Sequence, residues 1–205
     1  MCERYSLFIP LNKLIERFGL DIIDGKEYTP RAEIYPTENA PVIVKKKHKQ
    51  LKLFKWGFPP SYTKRPIINA RAETIDEKPT FRESFQKKRC LVPATSFFEW
   101  KKDKKGKIKH RIYINEEKIF SMAGIYDNFV DKEGNQVICF SIITTEANKK
   151  VEPIHNRMPV ILPKGKEDIW LDNNSISELK NLLIPYDSNS IIIERDSGAD
   201  QLSLF

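Results

Sequence analysis

The sequence predicts a single α+β domain: a mixed or antiparallel bent sheet or partial β-barrel flanked by short helices. Three observations lead there. Apolar runs of strand length recur between Pro, Gly, Asn and Asp breaks. Only three segments carry helical signals. At 205 residues, 40% hydrophobic and 11% aromatic, the chain can bury one core, and it contains no internal repeat.

Taken in order, Leu11, Leu14, Ile15 and Phe18 fall at i, i+3, i+4 and i+7, a short amphipathic helix stopped by Gly19. Strand-like runs follow at Ala40–Val44 and Leu51–Trp56, and Pro59, Pro60 and Pro66 punctuate a long loop. Pro79–Lys88 reads as a helix with Phe81 and Phe85 on one face. Cys90–Val92 and Ser96–Trp100 read as strands, and Ile108–Thr145 as a hairpin-rich stretch with turns near Asn115-Glu116 and at Asp131–Gly134. Pro159–Leu162 is another expected strand. Ser175–Leu183 reads as a helix capped by Ser175 with Glu178 at its third position. Ile191–Glu194 is the last expected strand, so the domain is expected to span residues 1–194. A polar tail, 195–205, then ends in Gln201-Leu202-Ser203-Leu204-Phe205.

A net charge of +7 favours polyanionic partners through counterion release, although a Lys-rich solvated surface explains it equally well. The basic residues cluster at Lys45–Lys49, Arg82–Arg89 and Lys101–Lys109, the first and last read as solvated loops. No apolar run reaches the ~20 residues of a membrane span. Charged residues interrupt the N-terminus at once, so a soluble cytoplasmic protein is expected. Three cysteines without a CxxC or Cys/His cluster argue against a disulfide framework and against a metal or cofactor site. Cys90 and Cys139 lie in apolar runs and read as buried core thiols.

Cys2 differs, because removal of Met1 would expose a 1,2-aminothiol. An α-amine has a reference pKa of about 7.7–8.0 against about 10.4 for lysine, so roughly a tenth is unprotonated at pH 7. Such an amine attacks aldehydes to give a Schiff base, and the adjacent thiol can close on the same carbon to form a thiazolidine. A ring-opened abasic site is an aldehyde. The plainer reading is an unremarkable second residue. Further along, Glu99 stands between aromatic residues, where desolvation would raise its pKa towards general-acid use; a water-facing strand-edge charge is the alternative. His155, beside Arg157, can shuttle protons or serve structure alone. Trp56-Gly57-Phe58-Pro59-Pro60 offers either a base-stacking surface or core packing.

Met1-Cys2, Asn69-Ala70-Arg71-Ala72-Glu73-Thr74, Arg89-Cys90-Leu91-Val92-Pro93-Ala94 with Phe98-Glu99-Trp100, Ala123-Gly124-Ile125-Tyr126 and His155-x-Arg157-Met158-Pro159 occur in that order. The chain thereby resembles the SRAP (SOS response-associated peptidase) family of abasic-site processing proteins over about residues 2–162. The resemblance implies that Cys2 forms a covalent link to abasic sites in single-stranded DNA, including sites at single/double-strand junctions. It implies that Asn69 orients the N-terminal residue and the opened sugar, Glu99 is the acid/base and His155 assists proton transfer and reversal. Arg4, Arg71 and Arg157 would hold phosphates, with Trp56 and Tyr62 as aromatic contacts. Release of Met1 by the protein itself and a strand-cleaving lyase side activity are also implied. Three stretches depart from the pattern: Glu3 replaces the usual Gly, Ser96-Phe97-Phe98 stands where Gly-Phe-Tyr is commoner, and Tyr62 replaces a frequent Trp. Glu3 adds a carboxylate beside the reactive amine, which favours its protonated form.

The last five residues resemble the peptide by which bacterial replication and repair proteins dock on the sliding clamp. Leu202, Leu204 and Phe205 would enter apolar pockets and Gln201 would make a polar anchor; a terminal strand folded onto the domain is the alternative. Two other functions stay open at this point. One is an N-terminal-nucleophile cysteine amidohydrolase using the Cys2 thiol; the other is a non-covalent single-strand DNA-binding module recruited to the clamp.

Overall fold

Helix α1 (Leu11–Phe18) forms where the 3.6-residue periodicity places it. It buries Leu14 and Phe18 and ends on Gly19, whose φ of 60° is the left-handed C-cap conformation. The computed structural model describes residues 2–23, 28–59, 65–104, 106–172 and 174–196. Around α1 the chain lays down β1 (Tyr5–Leu7), β2 (Ile22–Ile23), β3 (Arg31–Ile34), β4 (Asn39–Lys45), β5 (Lys49–Trp56) and β6 (Asn69–Arg71). Helix α2 (Pro79–Lys87) begins with proline in its first turn, where no amide donor is needed. Then come β7 (Arg89–Ala94), β8 (Ser96–Asp103), β9 (Gly106–Ile114), β10 (Phe120–Val130), β11 (Gln136–Glu146), β12 (Arg157–Pro159) and β13 (Ile161–Leu162). Helices α3 (Glu167–Leu171) and α4 (Ile176–Lys180) precede β14 (Ile191–Arg195).

Five strands close a ring. β11 pairs with β10, β10 with β7, β7 with β4 and β4 with β5. β5 then returns to β11 in parallel register at Cys139↔Lys55 and Phe140↔Trp56. So few strands leave an interior that side chains fill completely. Trp56 stacks on Phe140 with ring centroids 6.3 Å apart, and Tyr5 meets Trp56 edge-on at 5.1 Å. A second sheet runs in the order β14-β9-β8-β1-β3. β1 joins the two sheets: it pairs with β8 at Tyr5↔Phe97 while the Tyr5 ring packs on Trp56 inside the ring. One continuous apolar cluster serves both sheets, and Cys90 and Cys139 lie within it as expected. No helix among the described residues is long and apolar enough to cross a membrane.

Two arginines, Arg89 buried and Arg17 partly so, pin helices to this frame. Arg17 on α1 makes a two-pronged pair with Glu167 on α3 at 2.7 and 3.0 Å, and the Ser121 hydroxyl on β10 donates to the same carboxylate at 2.5 Å. Arg89 donates to main-chain oxygens of Phe85, Gln86, Trp170 and Asp172, which satisfies carbonyls at the ends of α2 and α3.

Several expectations need correction. Asn115-Glu116 is a turn, with Glu116 at φ 66°, but no hairpin forms there. Both edges of β9 are already occupied, by β8 and β14, so β10 must leave for the other sheet. Lys101–Lys109 is mostly strand, the β8–β9 hairpin. Lys45 and Lys49 flank the β4–β5 turn and are tied to Asp168 (3.2 and 3.0 Å), and Lys45 also to Asp172 (2.7 Å). The helix after Ser175 stops at Lys180, although its reciprocal Ser175–Glu178 cap is present.

Candidate active site

The end of β11 gathers the site. β6 lies beside it in parallel, Asn69 opposite Ile142 and Arg71 opposite Thr144, while β12 flanks its other edge with Arg157 opposite Glu146. From β6 the Asn69 side chain donates to the Cys2 carbonyl at 3.0 Å. Asn69 Oδ1 is buried and has no hydrogen-bond partner among the described residues. An unused buried acceptor costs about 1–3 kcal/mol. Cys2 itself is fully buried despite its place at the chain end. β8 supplies Glu99, 2% exposed, and the Phe98 amide donates to the Arg4 carbonyl at 2.9 Å, which docks the N-terminal segment along β8.

Burial raises the Glu99 carboxyl to about 7, and the Glu3 charge adds to that. This agrees with the sequence expectation and leaves Glu99 able to give or take a proton near neutrality. Burial, followed by the Glu99 charge, pushes the Cys2 thiol far above the ordinary cysteine range, so it stays protonated at neutral pH. Burial, then the positive charge of the chain's N-terminus, lowers His155 below the ordinary imidazole value, while its main-chain contact with Arg157 and the Glu3 charge work against both. The ring is therefore neutral at pH 7. His155 Nδ1 lies 3.0 Å from the Arg157 amide and 3.3 Å from the Arg157 carbonyl, so the main chain of residue 157 holds the ring. Cys2, Asn69, Glu99 and His155 are thus brought into one corner, with Asn69 bonded to Cys2, Glu99 felt at Cys2, and Glu3 felt at both Glu99 and His155.

Beside that corner lies a cleft of about 640 Å³, lined by Arg71, Glu146, Glu152, His155, Asn156 and Arg157. Arg71 is exposed. Arg157 is pinned by Glu73 through two contacts of 2.6 and 3.0 Å and donates to the Thr144 carbonyl at 2.7 Å. Arg4 pairs with Glu33 at 2.8 Å, and its guanidinium lies against the rings of Tyr35 (4.4 Å) and Trp100 (5.0 Å). Two of the three expected phosphate ligands are therefore already held by carboxylates. The sequence reading missed Glu33 and Tyr35, and nothing local pointed to them.

Trp56 is corrected outright. It is fully buried, stacked on Phe140, and its indole N–H donates to the Ile68 carbonyl at 3.1 Å, so it is a core residue and offers no surface to a base. Tyr62 and the peptide Gln201, Leu202, Leu204 and Phe205 lie outside the described residues. Among the described residues no three His, Cys, Asp or Glu side chains converge as a metal set.

Known proteins resemble this chain in sequence and in fold. The chain is 39% identical over 201 residues to the abasic site processing protein YoqW of Bacillus subtilis, covering 93% of this chain and 90% of that one. It is 29% identical over 187 residues to the abasic site processing protein HMCES of Xenopus tropicalis, of which it spans 56%. A crystal structure of a protein from Bacteroides thetaiotaomicron superposes with a TM-score of 0.81 at 34% identity, covering 95% of this chain and 91% of the other. The family model described as SOS response associated peptidase (SRAP) matches residues 1–196. The chain belongs to the SOS response associated peptidase family.

Proposed function

We propose that this protein processes abasic sites in DNA by covalent capture through Cys2 once Met1 is gone. The observation that carries the reading is the pairing of a held residue 2 with a proton-bearing carboxyl. Asn69 fixes the Cys2 carbonyl at 3.0 Å and keeps a free buried acceptor for the new α-amine, while Glu99 titrates at about 7 beside it. The names of the relatives, abasic site processing proteins, supply the substrate class.

The chemistry follows in order. Glu99 donates to the ring oxygen as the C1′–O4′ bond breaks, the C1′ hydroxyl yields its proton back to the Glu99 carboxylate, and the sugar opens to its aldehyde. The α-amine attacks C1′ to give a Schiff base, and the Cys2 thiol then closes a thiazolidine. The thiol's raised pKa fits this order, because a protonated thiol is a poor first nucleophile. That same feature disfavours the amidohydrolase alternative, which needs a thiolate at the outset. His155, its imidazole lowered by burial and so neutral, assists proton transfer and reversal. Arg71 takes a phosphate directly; Arg4 and Arg157 do so by exchanging Glu33 and Glu73 for the backbone. Single-stranded DNA, including junctions with duplex, is the proposed partner, with autocatalytic Met1 release and a β-elimination lyase step as side activities. The tail from residue 195 is proposed to dock on the sliding clamp and bring the protein to damaged DNA. Retention of a chain ending at Asp200 equal to that of the full chain in a clamp pull-down would rule this out.

A denaturing gel tests the central claim. Protein shown by mass spectrometry to begin at Cys2 is mixed with single-stranded DNA carrying one abasic site, beside intact DNA and the Cys2→Ala variant. The expected band survives denaturation and needs both the abasic site and Cys2. Reversible, salt-sensitive binding with no such band would favour the non-covalent module instead.

A further inference from the structure

We propose that Tyr35 is a stacking platform for a nucleobase of the bound strand, on the flank of the reactive corner. The inference rests on the reading of single-stranded DNA as the partner and deepens it by naming a residue that holds a base.

Contacts place the ring. β1 pairs with β3 at Tyr5↔Ile34, and the side chains of the next residues out, Arg4 and Tyr35, touch. The Arg4 guanidinium lies 4.4 Å from the centre of the Tyr35 ring and 5.0 Å from that of Trp100, the residue after Glu99. Through Arg4 the ring therefore borders both segments that carry reactive groups, the one with Cys2 and the one with Glu99.

The ring is exposed yet fixed. It keeps 41% of its surface open, against full burial for Trp56. Its hydroxyl donates to Glu33 at 2.9 Å, and its main-chain amide donates to the Glu38 carboxylate at 3.0 Å. Pro36 follows and favours extended backbone at Tyr35. Thr37 then takes a φ of 74°, which a β-branched residue rarely adopts. The Thr37 amide donates to the Trp56 carbonyl at 2.8 Å and the Trp56 amide to the Glu38 carbonyl at 2.9 Å, so β5 anchors the turn. Strained backbone of this kind persists only where the surroundings hold it, and it gathers at ligand-binding places.

The chemistry of the surface names its ligand. An open aromatic ring with a cation against it suits a flat π partner, and every base has such a face. The phenol hydroxyl is engaged by Glu33, so the contact carries little choice among bases. A tyrosine ring set in advance also loses little freedom on binding. Arg4 and Tyr35 thus divide one strand between them, the guanidinium taking a phosphate and the ring a base. The stacking role that the sequence suggested for Trp56 belongs in this reading to Tyr35.

The test is fluorescence anisotropy on single-stranded DNA with one reduced, aldehyde-free abasic site, so that no covalent step contributes. The proteins are the full chain and its Tyr35→Ala, Tyr35→Leu and Tyr35→Phe variants, each shown to be folded by a thermal melt. Tyr35→Ala and Tyr35→Leu are expected to weaken binding about five- to 100-fold, the range for one stacked base, while Tyr35→Phe keeps most of the affinity. The slope of log affinity against log salt is expected to stay the same, because no phosphate contact is lost. The strands are then varied by removing one further base at each position on either side of the abasic site. At one position the penalty of Tyr35→Ala is expected to disappear, since the base it would lose is already gone. Equal affinity of wild type and Tyr35→Ala would overturn the role of Tyr35 and leave DNA as the partner. A penalty that is the same on every strand would overturn it too, and would make Tyr35 a residue that only aligns Arg4. Failure of the wild-type chain to bind any of the strands would overturn the DNA reading itself, and the role of Tyr35 with it.

Discussion

Glu99 and Glu167 are the same residue type and almost equally buried, at 2% and 3% exposure, yet they are built into opposite situations. Glu167 receives both prongs of Arg17 at 2.7 and 3.0 Å and the Ser121 hydroxyl at 2.5 Å. A charge so matched is spent on joining α1, α3 and β10. Glu99 shares its corner with the Cys2 thiol, and burial lifts it to about 7. Folding tolerates that cost where the proposed reaction has a proton change hands. A buried carboxylate is thus structural or chemical according to what faces it.

The comparison breaks most visibly at Arg17. Arg17→Met leaves Glu167 buried without its cation, and a broken buried pair costs on the order of 3–5 kcal/mol. The melting temperature should fall by roughly 6–20 °C at 2–4 °C per kcal/mol for a chain of this size. The crosslinking rate of the folded fraction should not change. Thermal melts and single-turnover gels on one preparation check both halves. A slowed reaction at full stability would erase the distinction.

Glu99→Gln should do the converse: a loss of about 100-fold or more in crosslinking rate with no loss of stability. The sign of its pH dependence follows from the raised value. Between the ordinary carboxylate range and about 7 the folded chain keeps a proton that the unfolded chain releases. Stability should therefore decline as pH rises through that window, by on the order of 2–3 kcal/mol in all. Urea unfolding at pH 5 and pH 8 checks this, since the glutamine variant should lack that part of the slope. Equal slopes would mean that Glu99 is already ionised at pH 5.

The legible parts of this molecule were those set by neighbours in sequence. Gly19 ends α1 and Ser175 caps α4 because both devices act over three or four residues. Glu99 was legible for the same reason, flanked by Phe98 and Trp100. What failed was non-local. Asn115-Glu116 makes a real turn, but whether it closes a hairpin depends on β14, which arrives some eighty residues later to occupy the free edge of β9. β1, β3 and β6 are three or four residues long, too short to show alternation. Trp56 sits in a Gly- and Pro-rich neighbourhood that suits a surface loop, and only the ring closure through β11 reveals it as core. The carboxylates that hold the arginines were invisible for the same cause: Glu73 lies 84 residues from Arg157.

Those held arginines give the smallest predicted effect. Glu33 accepts from Arg4 (2.8 Å), Lys109 (2.5 Å) and the Tyr35 hydroxyl (2.9 Å), so a phosphate can reach Arg4 only by competing with it. Glu33→Gln keeps the shape and removes the competing charge. Single-stranded DNA should then bind about three- to tenfold more tightly, the modest yield of a partly exposed ion pair given up for a phosphate. The slope of log affinity against log salt should steepen by about 0.7, the value of one added phosphate contact on a single strand. Fluorescence anisotropy across a salt series reads both quantities. A steeper slope with tighter binding would mean that Glu33 holds Arg4 in reserve. Weaker binding at an unchanged slope would mean instead that Glu33 aligns Arg4 between Tyr35 and Trp100, a positioning role closer to that of Glu167 than to that of Glu99.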